Sequence, residues 1–529
     1  MVRRRLCGCA AVIGGLVLLW AGARPASAYR VEWAGRRLDL GMSLTAREVL
    51  EENRSTQHER TLGKARFTPR LEWSRSVRFA ASISGYVGGP TMLAQRGGVL
   101  HWRKVFQNLS PAVDFEEFYL DGSYGPWDVR LGKQRIAWGK LDRFSPVDVW
   151  NTLAYFDPFL LEESERKLAT PALTAAYSVP QPPGLDDLRV QVAWVPLYLP
   201  YRFPDARCDF SESGKSVCRS ERWFPQAAVP PPIFVIPAGL LPAPGGGRSP
   251  EVAVPLAFRV RNEAPRATLR DGSFGARVSA TVRGVDSAAY YFHGYDIQPA
   301  FLFEAWATGQ PDPNPNNPLH VTSLTGRTFL SPVFKTIDLW GLDLAHSRGP
   351  FVFRVEGAFV SGRPYAREIR SLLAASPAFA AEVVRALGDL ARGAGATKVS
   401  LPASFVTRDG FEWGVGADYQ HRGWTFIAQA NQTALLKSAK AANLLIQDVD
   451  TRLFLTVRRN FLSERLQANF LGGYGIDSSY TFTRPRLRYR WNDWLWSEVG
   501  YLFIAGRRQS VIGQYRRNDE GWVSVSVQF

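Results

Sequence analysis

Residues 411–419 read Phe411-Glu412-Trp413-Gly414-Val415-Gly416-Ala417-Asp418-Tyr419. Every odd position is apolar, and every even one is polar or glycine. An extended strand sends successive side chains to opposite faces, so this stretch has one apolar and one polar surface. The alternation recurs. Phe274, Ala276, Val278, Ala280 and Val282 stand opposite Gly275, Arg277, Ser279 and Thr281. Trp424, Phe426, Ala428 and Ala430 stand opposite Thr425, Gln429 and Asn431. Leu466, Ala468, Phe470 and Tyr474 oppose Gln467 and Asn469, and Val77, Phe79, Ala81 and Ile83 oppose Arg78, Ser82 and Ser84. Such segments run roughly 9 to 14 residues, the length a tilted strand needs to cross a bilayer. Aromatic residues gather near the segment ends, at Trp127, Trp138, Trp194, Tyr419, Trp424, Trp491 and Trp494, as interfacial girdles do.

The amino terminus supplies the export context. Arg3, Arg4 and Arg5 precede an apolar run from Ala10 to Ala21, and Ala26-Ser27-Ala28 is an A-x-A cleavage site, so residues 1–28 read as a secretory signal cut before Tyr29. Cys9 precedes the apolar run instead of ending it, which argues against a lipoprotein. After residue 28 no segment offers the ~20 continuous apolar residues of a membrane helix. A chain that spans a membrane without such helices must close into a barrel, because lipid leaves no other way to satisfy the backbone. Residues 29–529 are therefore expected to form one all-β transmembrane antiparallel barrel of about 18 strands, with 16 as the alternative. The first strand is placed near Val31 to Met42.

The connections also alternate in length. Tight turns are expected at Ser74-Arg75-Ser76, Gly125-Pro126, Gly284-Val285-Asp286, Ser347-Arg348-Gly349, Arg422-Gly423, Leu462-Ser463 and Asn492-Asp493. Long excursions are expected near residues 43–64, 89–111, 141–167, 199–270, 305–331, 362–410, 436–449 and 506–518. Short turns on one side and long loops on the other put both mature ends in the periplasm. The loop 199–270 is rich in proline and glycine and shows no strand or helix period. It holds Cys208 and Cys218, an even pair at short spacing that an oxidising periplasm allows to bridge. Within 362–410 the spacing predicts a helix over 365–392. Ser376 and Pro377 are start signals, and Phe379, Val383, Leu387 and Leu390 repeat at helical period. That helix is read as a cap on the barrel rim, with a lid or in-folded plug as the sharper alternative.

The formal charge is +16, and loss of residues 1–28 lowers it by four arginines and no acid. The bases are dispersed and carry no nucleic-acid motif. Anionic lipid, lipopolysaccharide, or an anionic solute in a pore is the more natural partner. Arg484, Arg486, Arg488 and Arg490 repeat with period two opposite Leu487, Tyr489 and Trp491. Arginine facing hydrocarbon costs about 2–4 kcal/mol at the midplane, so the row is expected to line the lumen. Lumen arginines bias pores toward anions. Their counter-charges could be Glu412, Asp418 and Glu356, or the acidic loop after Trp138, which carries Asp142, Asp148, Asp157, Glu162 and Glu163. Folded inward, that loop would narrow the barrel; left outside, it is a solvated loop.

The carboxyl terminus alternates to its last residue. Val523, Val525, Val527 and Phe529 share one face, with Ser524, Ser526 and Gln528 on the other. This resembles the terminal strand read by the barrel-assembly machinery. A second resemblance covers some twenty residues. Leu131-Gly132-Lys133-Gln134-Arg135-Ile136-Ala137-Trp138-Gly139, followed by Ser145-Pro146-Val147-Asp148-Val149, is similar to the LGRQ…WG…NPVDV signature of a proteobacterial outer-membrane family of unknown function. More loosely, the chain resembles alginate-export and porin-like barrels. Lys133 stands where that family commonly has arginine, and Ser145 where it has asparagine. The resemblance implies a partner in an inner-membrane exporter, and hydrophobic or lipid-like cargo.

Enzyme signatures are missing from the sequence: there is no G-x-S-x-G, H-E-x-x-H or phosphate-binding glycine loop. The six histidines are scattered, so neither a metal nor another cofactor is expected. The leading function is an outer-membrane porin passing small, anionic solutes. The alternatives are a conduit for lipid-like cargo and a structural or adhesive barrel with a closed lumen.

Overall fold

The computed structural model describes residues 29–529 except 34, 54–55, 88–112, 154–158, 160–165, 199–205, 211–215, 221–222, 224–232, 237, 239–250, 261–271, 315–316, 318, 369–376 and 508–509. The expected signal segment lies outside the described residues, as do the whole of the expected excursion 89–111 and the acidic residues Asp157, Glu162 and Glu163.

The chain forms a closed 18-strand antiparallel β-barrel. Its strands are Arg36–Asn53, Thr56–Glu72, Val77–Val87, Val113–Tyr124, Trp127–Gln134, Thr170–Ser178, Asp187–Val195, Ser273–Val282, Val285–Tyr295, Thr336–Arg348, Phe351–Ala366, Phe405–His421, Trp424–Leu435, Val449–Phe461, Leu466–Gly475, Tyr480–Arg490, Leu495–Gly506 and Glu520–Gln528. Closure comes from the last strand pairing with the first, from Ser43 opposite Gln528 to Glu51 opposite Glu520. Closure removes the open edge that lipid would leave unsatisfied. No described helix is long and apolar enough to cross a membrane.

The period-two reading decides which face is which. Phe411, Trp413 and Val415 are exposed on the outer wall, while Gly414 and Asp418 are buried inside. Leu131, Leu342 and Val523 expose about half their surface or more on the outer wall. Against hydrocarbon, each such side chain gains roughly 1.5–3 kcal/mol relative to water. Rings pack near the short-turn rim: Phe351 lies 4.7 Å from Tyr419 on the next strand, and Trp424 lies 5.5 Å from Phe426 on its own strand. Trp138 is not a girdle residue: it is 2% exposed and sits inside the barrel.

Both barrel ends and the short turns share one rim. Two of the expected turns shift by a residue, to Arg283-Gly284 and Gly349-Pro350, because the paired register runs on to Val285 and Arg348. An eighth connection on this rim, residues 179–186, separates Thr170–Ser178 from Asp187–Val195. At the start of the chain, Tyr29–Trp33 forms a separate short strand against Arg36–Leu40. The expected single strand from Val31 to Met42 is therefore a hairpin bend.

At the opposite rim the expected excursion at 43–64 is instead wall. Arg36–Asn53 pairs with Thr56–Glu72 throughout, from Arg37 opposite Glu72 to Asn53 opposite Thr56. The charged residues there lie on long, continuously paired strands. The expected excursion at 305–331 is also ordered. Ala300–Pro311 and Val321–Val333 form a hairpin outside the barrel. It joins a seven-stranded outer sheet with Ala206–Phe210, Ser216–Ser220, Ile233–Ile236, Val252–Val260 and Ala396–Val399. Four of those strands come from the proline-rich segment 199–270, so its lack of period hides real strands. Cys218 stands opposite Cys208 in the register, and Cys208 is disulfide-bonded.

The described helix runs Pro377–Ala391; of the expected range 365–392, Tyr365 belongs to a barrel strand, and 369–376, with Ser376, lie outside the described residues. Phe379, Val383, Ala386, Leu387 and Leu390 are buried. Phe379, Val383, Ala386 and Leu387 pack with Ile236, Val254 and Val399 of the outer sheet. The helix thus belongs to the outer cap and does not enter the lumen.

Candidate lumenal site

After the strand Trp127–Gln134, the described residues 135–153, Phe159 and 166–169 lie inside the barrel. Gly132 starts the departure: its φ of +133° is open to glycine, and a Cβ there would lie 2.3 Å from the Phe118 carbonyl oxygen. The Gln134 amide donates to the Ala172 carbonyl at 3.0 Å. Asn151 closes the segment on itself by accepting from the Ile136 amide at 3.1 Å and donating to its carbonyl at 2.5 Å.

An apolar seat holds this segment. Ile136, Trp138, Val147, Val149 and Trp150 form one buried cluster with lumen-facing Ala172, Ala193, Val195, Tyr290, Phe292, Leu339 and Val360. Trp138 meets Trp150 edge-on at 4.9 Å, and Trp150 meets Phe292 at 4.9 Å. Inward-facing glycines make the room. A Cβ at Gly275 would lie 2.8 Å from Trp150, one at Gly341 2.4 Å from Val147, and one at Gly414 2.6 Å from Leu141.

A polar clamp follows. Glu356, 1% exposed, accepts from the Leu141 amide at 2.5 Å, from the Ser145 hydroxyl at 2.5 Å and from the Lys140 amide. The Lys140 ammonium pairs with buried Asp343 at 2.8 Å, and the Tyr290 hydroxyl donates to the same carboxylate. Farther along, the Arg143 amide donates to Gln429 at 3.2 Å, Asn431 donates to the Phe144 carbonyl at 3.2 Å, and Phe144 stacks on Phe454 at 5.3 Å. Arg484 then donates to the Phe159 carbonyl at 2.5 Å, and Phe159 packs on Phe482 at 5.0 Å. The segment therefore touches the inner wall from Ala172 to Phe482.

The arginine row lies where period two places it. Arg484 is 3% exposed inside the lumen. Arg486 stands 3.6 Å and Arg488 3.0 Å from Glu498 on the next strand. Arg490 ends its strand at the short-turn rim and is exposed. Glu498 is a carboxylate of this row that period alone does not reveal, because the strand pairing selects it. Glu356, Asp418 and Glu412 do point inward. Glu356 holds the segment 140–145, Asp418 pairs with Arg354 at 2.5 Å, and Glu412 pairs with Arg363. Asp142 lies 3.5 Å from Arg354, and Asp148 pairs with Lys167. The described loop acids thus meet Arg354 and Lys167.

The outer half of the lumen differs in character. Val49, Leu62, Phe454, Leu471, Phe482, Leu502, Ile504 and Trp522 form a buried apolar cluster under Trp223 and Ile512. Trp223 meets Phe159 at 5.6 Å and Tyr515 at 5.5 Å. No group of three or more His, Cys, Asp or Glu among the described residues could hold a metal ion.

In the last strand, Val523 is exposed to the lipid side while Trp522, Ser524 and Ser526 are buried inside. The Phe529 amide donates to the Met42 carbonyl at 2.8 Å, tying the end of the chain to the first barrel strand.

Residues 105–505 match the family model described as "Protein of unknown function (DUF1302)". No curated protein matches the chain. Solved structures similar to it include Acinetobacter baumannii OccAB4, with 9% identity and a TM-score of 0.43 over 93% of this chain and 98% of that one. Pseudomonas aeruginosa OccK1 (OpdK) gives 8% identity and a TM-score of 0.43 over the same shares, 93% and 98%. Salmonella typhi OmpF in complex with daunomycin gives 9% identity and a TM-score of 0.38 over 95% of this chain and 100% of that chain.

Proposed function

This chain belongs to the DUF1302 family, and on that premise we propose that it works as an outer-membrane channel for small anionic solutes. It is exported by a signal cleaved before Tyr29 and inserted by the barrel-assembly machinery through its terminal strand. The observation that supports the reading is the inward placement of residues 136–153 and of Phe159. The stretch is seated on inner-wall glycines and clamped by Glu356, so it narrows a wide barrel without closing the wall. An 18-strand barrel leaves an aqueous path unless loops fill it. Arg486 and Arg488 line the remaining wall, and lumen arginines favour anions.

The experiment is ion selectivity in planar bilayers under a salt gradient. The native barrel should give discrete steps with a reversal potential on the anion side. The pair Arg486→Gln with Arg488→Gln leaves Glu498 unbalanced and should move the potential toward cations. A folded barrel without steps contradicts the channel reading.

A second reading has its own support. The apolar outer half of the lumen, from Phe454 to Trp522, suits hydrophobic or lipid-like cargo delivered by an inner-membrane exporter. Retention of a labelled fatty acid by a barrel that passes no ions would favour it.

A further inference from the structure

The lumen leaves one charged feature unexplained: the short-turn rim. Arg283, Arg422 and Arg465 sit in three of its turns and are exposed. Arg348 and Arg459 stand beside the turns on outward-facing positions, in step with Leu342 and Leu344 and with Leu453 and Leu455. Among the described residues none of these five arginines makes an ion pair, whereas the buried arginines of the opposite half are matched, as Arg363 is by Asp296 at 2.8 Å. Glu464 and Asp493 are carboxylates on the same arc. The neighbouring short turn, whose Asp186 amide donates to the Thr281 carbonyl at 2.9 Å, carries Asp186 and no arginine, and Arg75 is exposed in a short turn outside this arc.

Directly on the bilayer side of that arc lies an aromatic belt. Arg459 places its guanidinium 4.5 Å over the Trp424 ring and 4.9 Å from the Phe461 ring. Phe351, Tyr419 and Trp491 continue the belt on neighbouring strands. Arginine over an outward-facing ring is held at headgroup depth, with its stem along apolar surface and its charge at the boundary. Planar guanidinium forks match phosphate oxygens two at a time.

We propose that this arc, Arg283, Arg348, Arg422, Arg459 and Arg465, binds the phosphate headgroups of anionic glycerophospholipids in the leaflet that meets the short turns. Short turns hold the arginines within a residue or two of the belt, so they reach lipid already packed against the wall. The inference uses the membrane-spanning fold and not the solute carried, so it stands or falls apart from the channel reading.

The test is native mass spectrometry of the refolded barrel from mixed micelles holding equal parts phosphatidylglycerol and phosphatidylethanolamine. One well-engaged arginine is enough for about a fivefold preference for the anionic lipid. The triple variant Arg422→Asn, Arg459→Gln and Arg465→Gln should lose most of that preference, while the lumenal pair Arg486→Gln and Arg488→Gln should keep it. Heat-modifiable migration on gels reports folding. If the triple variant does not fold, Arg422→Asn alone is read, since asparagine tolerates the positive φ of that turn. Equal retention of both lipids by the native barrel overturns the proposal. So does an unchanged preference in the folded variant, or displacement of the lipid by excess inorganic phosphate.

Discussion

The carboxylate of Glu356 accepts the hydroxyl of Ser145 at 2.5 Å, joining the barrel wall to a segment 211 residues earlier in the chain. The Lys140 and Leu141 amides donate to the same carboxylate, so one side chain gathers three donors from one short stretch. A bilayer-spanning wall supplies this acceptor at the depth where the lumen is crossed.

Replacing Glu356 by glutamine should loosen that stretch. Glutamine keeps one oxygen, now uncharged, for the Lys140 and Leu141 amides that share Oε1, and turns a donor toward the Ser145 hydroxyl that Oε2 accepts. Bonds to a charged acceptor contribute about 1.5–3 kcal/mol each. The variant should remain a heat-modifiable barrel yet be cut by trypsin at Lys140 or Arg143 at least ten times faster, since 1.4 kcal/mol is about tenfold in an equilibrium. Unchanged cleavage would show that the apolar seat alone holds the segment.

Gly341→Leu tests the seat. A Cβ at Gly341 would meet Val147 at 2.4 Å. Overpacking of this kind costs about 1–3 kcal/mol. The expected outcome is a displaced segment in a folded barrel, read as faster hydrogen exchange at residues 147–150. If exchange there is unaltered, the glycine is not a seat.

The outer helix should respond to acid independently of the barrel. Arg385 holds the Glu382 carboxyl below its ordinary range, and Arg392, followed by Thr397 and Arg385, does the same for Asp389. Depressed carboxylates add stability above their unfolded range and lose it as pH falls through the folded value. Protection of the helix Pro377–Ala391 from exchange should therefore be full near neutrality and fall below the ordinary carboxylate range, while the barrel strands stay protected. Protection that is flat with pH would remove these pairs as contributors.

Reduction should act on the outer sheet alone. A bridge from Cys208 to Cys218 closes a loop of about ten residues, and bridges of this size contribute about 2–3 kcal/mol. Alkylation should label both thiols only after reduction, and exchange should then rise in Ala206–Phe210 and Ser216–Ser220. Labelling without reductant would contradict the bridge.

Much of this architecture is legible because a barrel wall has a simple period. Phe411 to Tyr419 alternates without interruption, since one face meets lipid and the other meets water or the in-folded segment. Pro377 to Leu390 is equally readable, because its apolar spacing is set by one packed face. Legibility fails where charge and membrane depth separate. Glu48 and Glu59 lie on strands that stay paired as far as Asn53 and Thr56, so a polar stretch there is wall and not loop. It fails again where a partner is chosen by register: Glu498 meets Arg488 because Tyr480–Arg490 pairs with Leu495–Gly506 at that offset. The seats Gly275, Gly341 and Gly414 look like ordinary small residues on a strand. Only the approach of Trp150, Val147 and Leu141 gives them their purpose.

In the proposed channel, the segment after Trp138 narrows the passage. The most direct measurement is single-channel conductance of the native barrel against a variant in which residues 145–165 are replaced by a short glycine-serine bridge. The account predicts larger, noisier steps from the variant, with folding confirmed by heat-modifiable migration. Equal or smaller conductance in a folded variant would contradict it and place the ion path away from this segment.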